Sequence, residues 1–352
     1  MKEIAIIGFA QAKNVRREPA RSETELVSPV ITEALEMAQL KRQDMGFTIS
    51  ASTDYVSGIP FSFVRALDAV GAWPPIPESH VEMDGAWAFQ EAWIRLQHGD
   101  MDTALIYSFG NSSTANDLVD VLGLQMDPYS IAPLRPDAIS LAALQAQALL
   151  DAGKYTERDF AQVASRSRSD AKSNPYAQVK GDHSIDDILA QPYIASPLRK
   201  HDCPPITDGG AAMIIATADK ARELCKRPVW VKSIDHRIEA HQPGLRNLAV
   251  STSTKLAAEK CGVGKDKIDL AEIYAPYSHQ ELILRDALNL EESTTINPSG
   301  GALAAHPLMS AGLIRVGEVA KRIMAGDGDR GLAHATSGSC LQQNLVTVLE
   351  GA

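Results

Sequence analysis

The 352-residue chain lacks an apolar run of membrane-spanning length, a low-complexity tract, and any two cysteines at metal-ligand spacing. The first absence argues against a transmembrane helix. Cys203, Cys225, Cys261 and Cys340 stand far apart, which predicts free thiols in a reducing compartment, most simply the cytoplasm. No signal peptide is expected ahead of the first apolar strand. A basic stripe is missing too: 44 acidic against 34 basic residues leave a net charge of −10. That balance argues against nucleic acid as a partner. It leaves room for an anionic substrate held by a few local basic groups.

What is present suits a core-forming α/β protein. Hydrophobic residues make up 45% of the chain, and its length fits one large or two similar domains. IAIIGF at 4–9 reads as a buried strand, and the apolar spacing over 24–40 as a helix. DMDTALIYSFG at 100–110 reads as a second covered strand, and 138–152 as another helix. From residue 225 the pattern restarts. Strands are expected over 227–239, 268–278 and 345–350, and helices over 250–260 and within 297–325.

The restart has a register. Gly85, Gly99, Asp100, Asp102 and Leu105 recur at Gly312, Gly326, Asp327, Asp329 and Leu332, each 227 residues later. This predicts two copies of one helix-then-strand unit about a pseudo-twofold axis, in halves 1–224 and 225–352. A site between the copies would be built from equivalent helix starts, whose unpaired N–H groups favour developing negative charge.

Several stretches carry candidate chemistry. In NPSGGALAAHPLMSAGLIRVGE, 297–318, Pro307 keeps His306 out of helical geometry at a glycine-rich approach to a helix. Such a histidine can donate to an oxyanion or move a proton; it can equally be a loop histidine bonded to backbone. IYAPYSHQE, 273–281, brings Tyr274, Tyr277 and His279 to the end of a strand, where catalytic groups of α/β folds gather. There Tyr277 can simply pack, His279 can cap the next helix, and Ser278 with Glu281 fits a capping box. HATSGSCLQQN, 334–344, places Cys340 after a turn, as a nucleophile, an acid or an inert buried thiol. HDCPPITDGG, 201–210, only superficially resembles a metal cluster, because adjacent ligands point apart. In HVEMDGAWAFQEAW, 80–93, Glu82 and Asp84 precede a helix at Gly85. Carboxylates are favoured there without any catalytic purpose; Asp84 or Glu82 can also face the cleft of His306.

Together these segments, with PLRKHDCPPITDGGAA at 197–212 and EIYAPYSHQELILRDAL at 272–288, resemble the thiolase superfamily. More narrowly they resemble thiolase-like lipid-transfer proteins and steroid side-chain aldolases. The resemblance covers nearly the whole chain. It implies duplicated α/β halves in a layered helix–sheet arrangement, a dimer, and coenzyme A as part of the substrate rather than a tightly bound cofactor. No metal is expected in the chain, and Gly300 and Gly301 are candidates for substrate binding.

The departures from the family are informative. Thiolases begin this helix Cys-x-x-Gly; if Gly85 is that glycine, Glu82 stands at the cysteine position, and the one-step alternative that puts Gly85 itself there also lacks a thiol, so an acyl-cysteine step loses its nucleophile. Tyr274 takes the place of a strand-end histidine, Ala305 that of a glycine before His306, and Cys340 is displaced by about two residues. The resemblance therefore implies a retro-aldolase of β-hydroxyacyl-CoA esters, working with a small OB-fold, zinc-ribbon partner. His306 would serve the enolate oxygen and Tyr274 would be base or relay, with Cys340, Asp84 or His279 completing the relay. An acyltransferase using Cys340, and a non-catalytic scaffold for the partner, are the alternatives. Trp87, Trp93, Phe61 and Phe63 are either core or the lining of a wide acyl pocket.

Overall fold

The computed structural model describes residues 1–114 and 118–352. Ten strands form its main sheet. They are β1 (Ile4–Gln11), β2 (Phe47–Ala51), β3 (Glu78–Val81), β4 (Thr103–Gly110) and β5 (Gly209–Thr217) in the first half. In the second they are β6 (Val229–Ile238), β7 (Leu270–Ile273), β8 (Thr295–Ile296), β9 (Arg330–Ser337) and β10 (Gln343–Glu350). The order is β8-β7-β9-β10-β6-β1-β5-β4-β2-β3.

The duplication expected from the glycine register is therefore present in the topology. Each half runs first strand, fifth, fourth, second, third, with two antiparallel pairings followed by two parallel ones. The halves meet where Ala5 pairs with Trp230 and Ile6 with Val229. Thr103–Gly110 and Arg330–Ser337 match residue for residue at the spacing seen in the sequence.

The longer helices among the described residues are α1 (Glu23–Met37), α2 (Gly85–His98), α3 (Ala138–Asp151), α4 (Glu157–Asp170), α5 (Thr252–Cys261), α6 (Ser278–Leu288) and α7 (Ala311–Ala325). Ile4 and Ile6 of β1 point into one core with Phe89 of α2 and Val316 of α7, while Ala5 and Ile7 point into another with Leu26 and Ile31 of α1. This alternation buries the strand on both faces, which is why IAIIGF is apolar throughout. The first core draws on strands of both halves, so α2 and α7 form a central layer between them.

That layer explains the repeated glycines. A Cβ on Gly85 would lie 2.8 Å from Leu313 Cβ, and one on Gly312 would lie 2.3 Å from Asp84 Oδ1. Only glycine at both positions lets the two helix starts approach this closely.

Two local expectations are corrected. The strand expected over 268–278 ends at Ile273, and α6 begins at Ser278. The capping box of Ser278 and Glu281 does not form. Tyr277 is the N-cap and its N–H donates to Gln280 Oε1 at 3.3 Å. Ser278 instead donates to Asp202 at 2.6 Å, and Glu281 accepts from Arg166 and Asn297. Tertiary partners have taken both side chains from the helix start. Asp202 is thereby a structural acceptor and Asp208 accepts from the Glu18 and Ser113 N–H groups, so HDCPPITDGG serves the fold.

Packing in the central layer yields a test. A Cβ on Gly317 of α7 would fall 2.0 Å from the Phe9 ring. Gly317→Ala is expected to destabilise the chain by about 1–3 kcal/mol, as overpacked cores do. Gly244→Ala, with nothing within 4 Å, should be near neutral. Urea midpoints of the two variants check this.

Candidate active site

The starts of α2 and α7 meet over one carboxylate. Asp84, the N-cap of α2, accepts from its own helix at Ala86 N (2.9 Å). It also accepts from the other helix at Gly312 N (2.9 Å) and Leu313 N (3.2 Å). Ser310, the N-cap of α7, makes no capping bond, so Asp84 caps both copies of the repeated helix. Three N–H donors and the Arg315 guanidinium favour its charged form. Full burial outweighs them and pushes the Asp84 carboxyl up to about 6.

Asp84 lines an open cleft together with Tyr55, Tyr274, His306 and Cys340. Leu122, Met126, Leu141, Ile206, Leu308 and Met309 give it apolar walls. Tyr274 leaves the end of β7 still held to β9, its N–H donating to His334 O at 3.2 Å. His306 is fixed by a short ladder against Ile206–Thr207 and by its N–H to Thr207 Oγ1 at 3.1 Å. The two side chains join at 2.6 Å, Tyr274 hydroxyl to His306 Nε2. Burial and Arg315 hold His306 down at about 3, so the ring is neutral at pH 7. Burial and the nearby Asp84 charge raise Tyr274 well above the usual phenol range. Behind them, buried Arg315 donates to Glu272 (2.5 Å) and Ser299 (2.6 Å).

The remaining candidates divide. Cys340 faces the cleft with a left-handed backbone (φ 54°), and Arg246 and Gln145 both donate to its carbonyl. Its thiol points to Leu141 O at 3.5 Å and burial pushes it up to about 11. His279 lies in the first turn of α6, where its Nε2 meets Gln145 Oε1 at 3.3 Å and its ring packs near Phe160. The structure thus turns His279 away from the cleft. Gly300 and Gly301 hold left-handed backbone (φ 90° and 63°) against Ala171 and Asn297, buried in the fold rather than along the cleft. Glu82 is half-exposed; it accepts from Asp54 N at 2.5 Å and pairs with His80. Trp87 and Trp93 pack into cores, Phe61 is exposed and Phe63 stacks on His80. Among the described residues, no group of three or more His, Cys, Asp or Glu could hold a metal ion.

Two residues escaped sequence reasoning. Tyr55 follows the apolar strand β2 as Tyr274 follows β7, and that parallel was the available signal. Arg315 sits among apolar neighbours on α7, a basic residue where the helix face should be buried.

Comparisons with known proteins agree with this fold. Residues 229–348 match the family described as thiolase, C-terminal domain. The chain is 24% identical over 350 residues to the acetyl-CoA acetyltransferase of Methanocaldococcus jannaschii, covering 91% of this chain and 89% of that one. It is 26% identical over 268 residues to sterol carrier protein 2 of Gallus gallus, covering 67% of this chain and 48% of that one. A solved chain of an Ltp2–ChsH2(DUF35) aldolase superposes with a TM-score of 0.82 at 18% identity, over 99% of this chain and 97% of that one. Residues 229–348 thus carry the thiolase C-terminal domain match, and the whole chain is similar in fold to that aldolase chain. At the start of α2 it is Asp84, not Glu82, that lines the cleft.

The raised Asp84 carboxyl makes stability depend on pH. Folding lifts this group from 3.8 to about 6, so its contribution is complete below pH 3.8 and is lost as pH rises through 6. Wild type should lose roughly 2–3 kcal/mol relative to Asp84→Asn between pH 4 and 7.5. Urea unfolding of both proteins across that range measures the gap, and a gap independent of pH would contradict the assignment.

Proposed function

We propose that the chain is a carbon–carbon lyase, a retro-aldolase of β-hydroxyacyl-CoA thioesters with a bulky apolar acyl part. The observation that carries this reading is the cleft itself. Tyr274 and His306 are joined at 2.6 Å beside a carboxyl poised at about 6, at a helix start that offers no thiol. Retro-aldol cleavage needs no acyl-enzyme. It needs one proton carried from the β-hydroxyl to the α-carbon.

These groups suit that transfer. Tyr274 is too weak an acid to act as a free phenolate, so it relays. The substrate hydroxyl gives its proton through Tyr274 to the Asp84 carboxylate. The Cα–Cβ electron pair moves into the thioester as an enolate, and the β-carbon leaves as a ketone or aldehyde. The enolate carbon then takes the proton back, giving a shortened acyl-CoA. A base near 6 is charged at pH 7 yet can return its proton. With its proton on Nε2, His306 donates to the Tyr274 oxygen, orients the hydroxyl and leaves the phenol proton free to move. This differs from a direct contact of His306 with the enolate oxygen.

Cys340 fits the alternative acyl transfer poorly, because a thiol near 11 holds little thiolate at neutral pH. The names of similar proteins support the substrate class: an acetyl-CoA acetyltransferase, a sterol carrier protein and an aldolase. The last is named with a DUF35 component, and the proposal extends to a dimer of this chain with a small OB-fold, zinc-ribbon partner in the cytoplasm.

Product analysis of the co-expressed complex tests the reading. Without free coenzyme A, a β-hydroxyacyl-CoA should yield one acyl-CoA and one carbonyl compound. Demand for free coenzyme A, or an acylated peptide at Glu82 or Cys340, would restore acyl transfer; binding without turnover would favour the scaffold. Tyr274→Phe and His306→Ala should each lower kcat about 100-fold. His306→Gln should keep more activity than His306→Ala, and the double mutant should fall short of the product of the two losses. The rise of kcat/KM with pH near 6 should vanish in Asp84→Asn. Near wild-type turnover in both single mutants would end the mechanism.

A further inference from the structure

The cleft contains a donor that the relay leaves unused. A retro-aldol step develops negative charge on the thioester oxygen, and enzymes meet such charge with a preorganised donor. In a protein with two helix starts at its site, backbone N–H groups would be the obvious source. Here they are taken. Asp84 accepts from Ala86, Gly312 and Leu313, and Gly85 N donates to Met309 O at 2.8 Å.

Most side-chain donors on the walls are committed as well. Thr336 donates to Gln343 O at 3.0 Å, Ser339 to the Met126 sulfur at 3.4 Å, and Gln280 to Gln145 at 2.9 Å. Tyr274 is engaged with His306. Tyr277 lines the same cleft near Tyr274 and lies towards Cys203, Asp137 and Cys340.

Tyr55 remains. It stands on the helical turn Asp54–Ser57, and that turn is built to hold it. Asp54 accepts from Phe61 N and Ser62 N at 2.8 Å each, and Val56 is buried beneath. Glu82 anchors the turn from the other side by accepting from Asp54 N at 2.5 Å. The residue that stands at the thiolase cysteine position therefore fixes the segment bearing Tyr55. The phenol shares the cleft with Asp84 and Tyr274 and lies close enough to Tyr274 to disfavour its ionisation. Burial keeps it protonated, pushed up to about 12, against a side-chain hydrogen bond from Thr53 that favours the phenolate.

The geometry points to Tyr55 as the hydrogen-bond donor to the thioester oxygen of the bound CoA ester, opposite the Tyr274–Asp84 relay. This rests on the cleft binding a CoA thioester and deepens the retro-aldolase reading. Tyr55 donates a hydrogen bond without transferring its proton, so the balance of the reaction is unchanged. Glu82 is a positioning residue for it.

The test uses the full chain, with its partner if the two co-purify. The probes are an acyl-CoA labelled with carbon-13 at the thioester carbonyl and the matching S-alkyl-CoA thioether, which lacks that oxygen. Wild type should lower the carbonyl stretching frequency on binding and prefer the thioester about tenfold, near the 1.4 kcal/mol of one charge-free hydrogen bond. Tyr55→Phe should lose both effects, and its kcat for cleavage should fall about 100-fold with CoA-ester affinity changed far less. An unshifted carbonyl in wild type, or a shift and preference retained in Tyr55→Phe, would overturn the proposal. If wild type cleaves nothing yet shows a Tyr55-dependent shift, the retro-aldolase reading fails and the donor assignment stands. Circular dichroism and Tyr274→Phe, which should keep the shift, control for folding and for general damage to the cleft.

Discussion

One carboxylate shared by two helix starts organises the site. Asp84 closes the end of its own helix and the end of the duplicate helix from the other half. The duplication makes this possible, since equivalent helices crossing at equivalent glycines bring their unpaired N–H groups together. The consequence is electrostatic as well as structural. Two helix termini that would have welcomed an incoming oxyanion are already neutralised by a resident one. A site so occupied has to find its catalytic donors elsewhere, and the cleft lines up phenols around the carboxylate.

Burial sets the chemistry of each group in that cleft. Desolvation lifts the Asp84 carboxyl towards the working pH, holds His306 neutral, and keeps Tyr274, Tyr55 and Cys340 protonated. The same physical cause makes the carboxyl a serviceable base and the thiol a poor nucleophile. Arg315, paired with Glu272 and Ser299, places fixed positive charge behind the site without entering it.

The sequence made much of this legible, and where it failed the reason is physical. The repeated Gly-then-GD register anticipated strands that correspond residue for residue, because close helix packing leaves glycine no substitute. His306 and Tyr274 were readable because Pro307 and a strand end restrict their backbones. The bridge from Asp84 to Gly312 joins residues 228 apart, and no local pattern encodes a cap supplied by another helix. His279 was misplaced because β7 stops at Ile273. Six residues later it rides the first turn of α6 towards Gln145. Tyr55 carried the same strand-end signal as Tyr274 but lacked a neighbouring motif to single it out.

The shared carboxylate can be examined without substrate or partner. Carbon-13 labelling of aspartate side chains, with Asp84→Asn to assign the resonance, lets the Asp84 carboxyl be titrated directly by NMR. The bridge buried between two helix starts predicts a midpoint near 6, with the amide resonances of Ala86, Gly312 and Leu313 shifting along the same curve. A midpoint at or below the ordinary aspartate value, or three amides indifferent to it, would contradict the account.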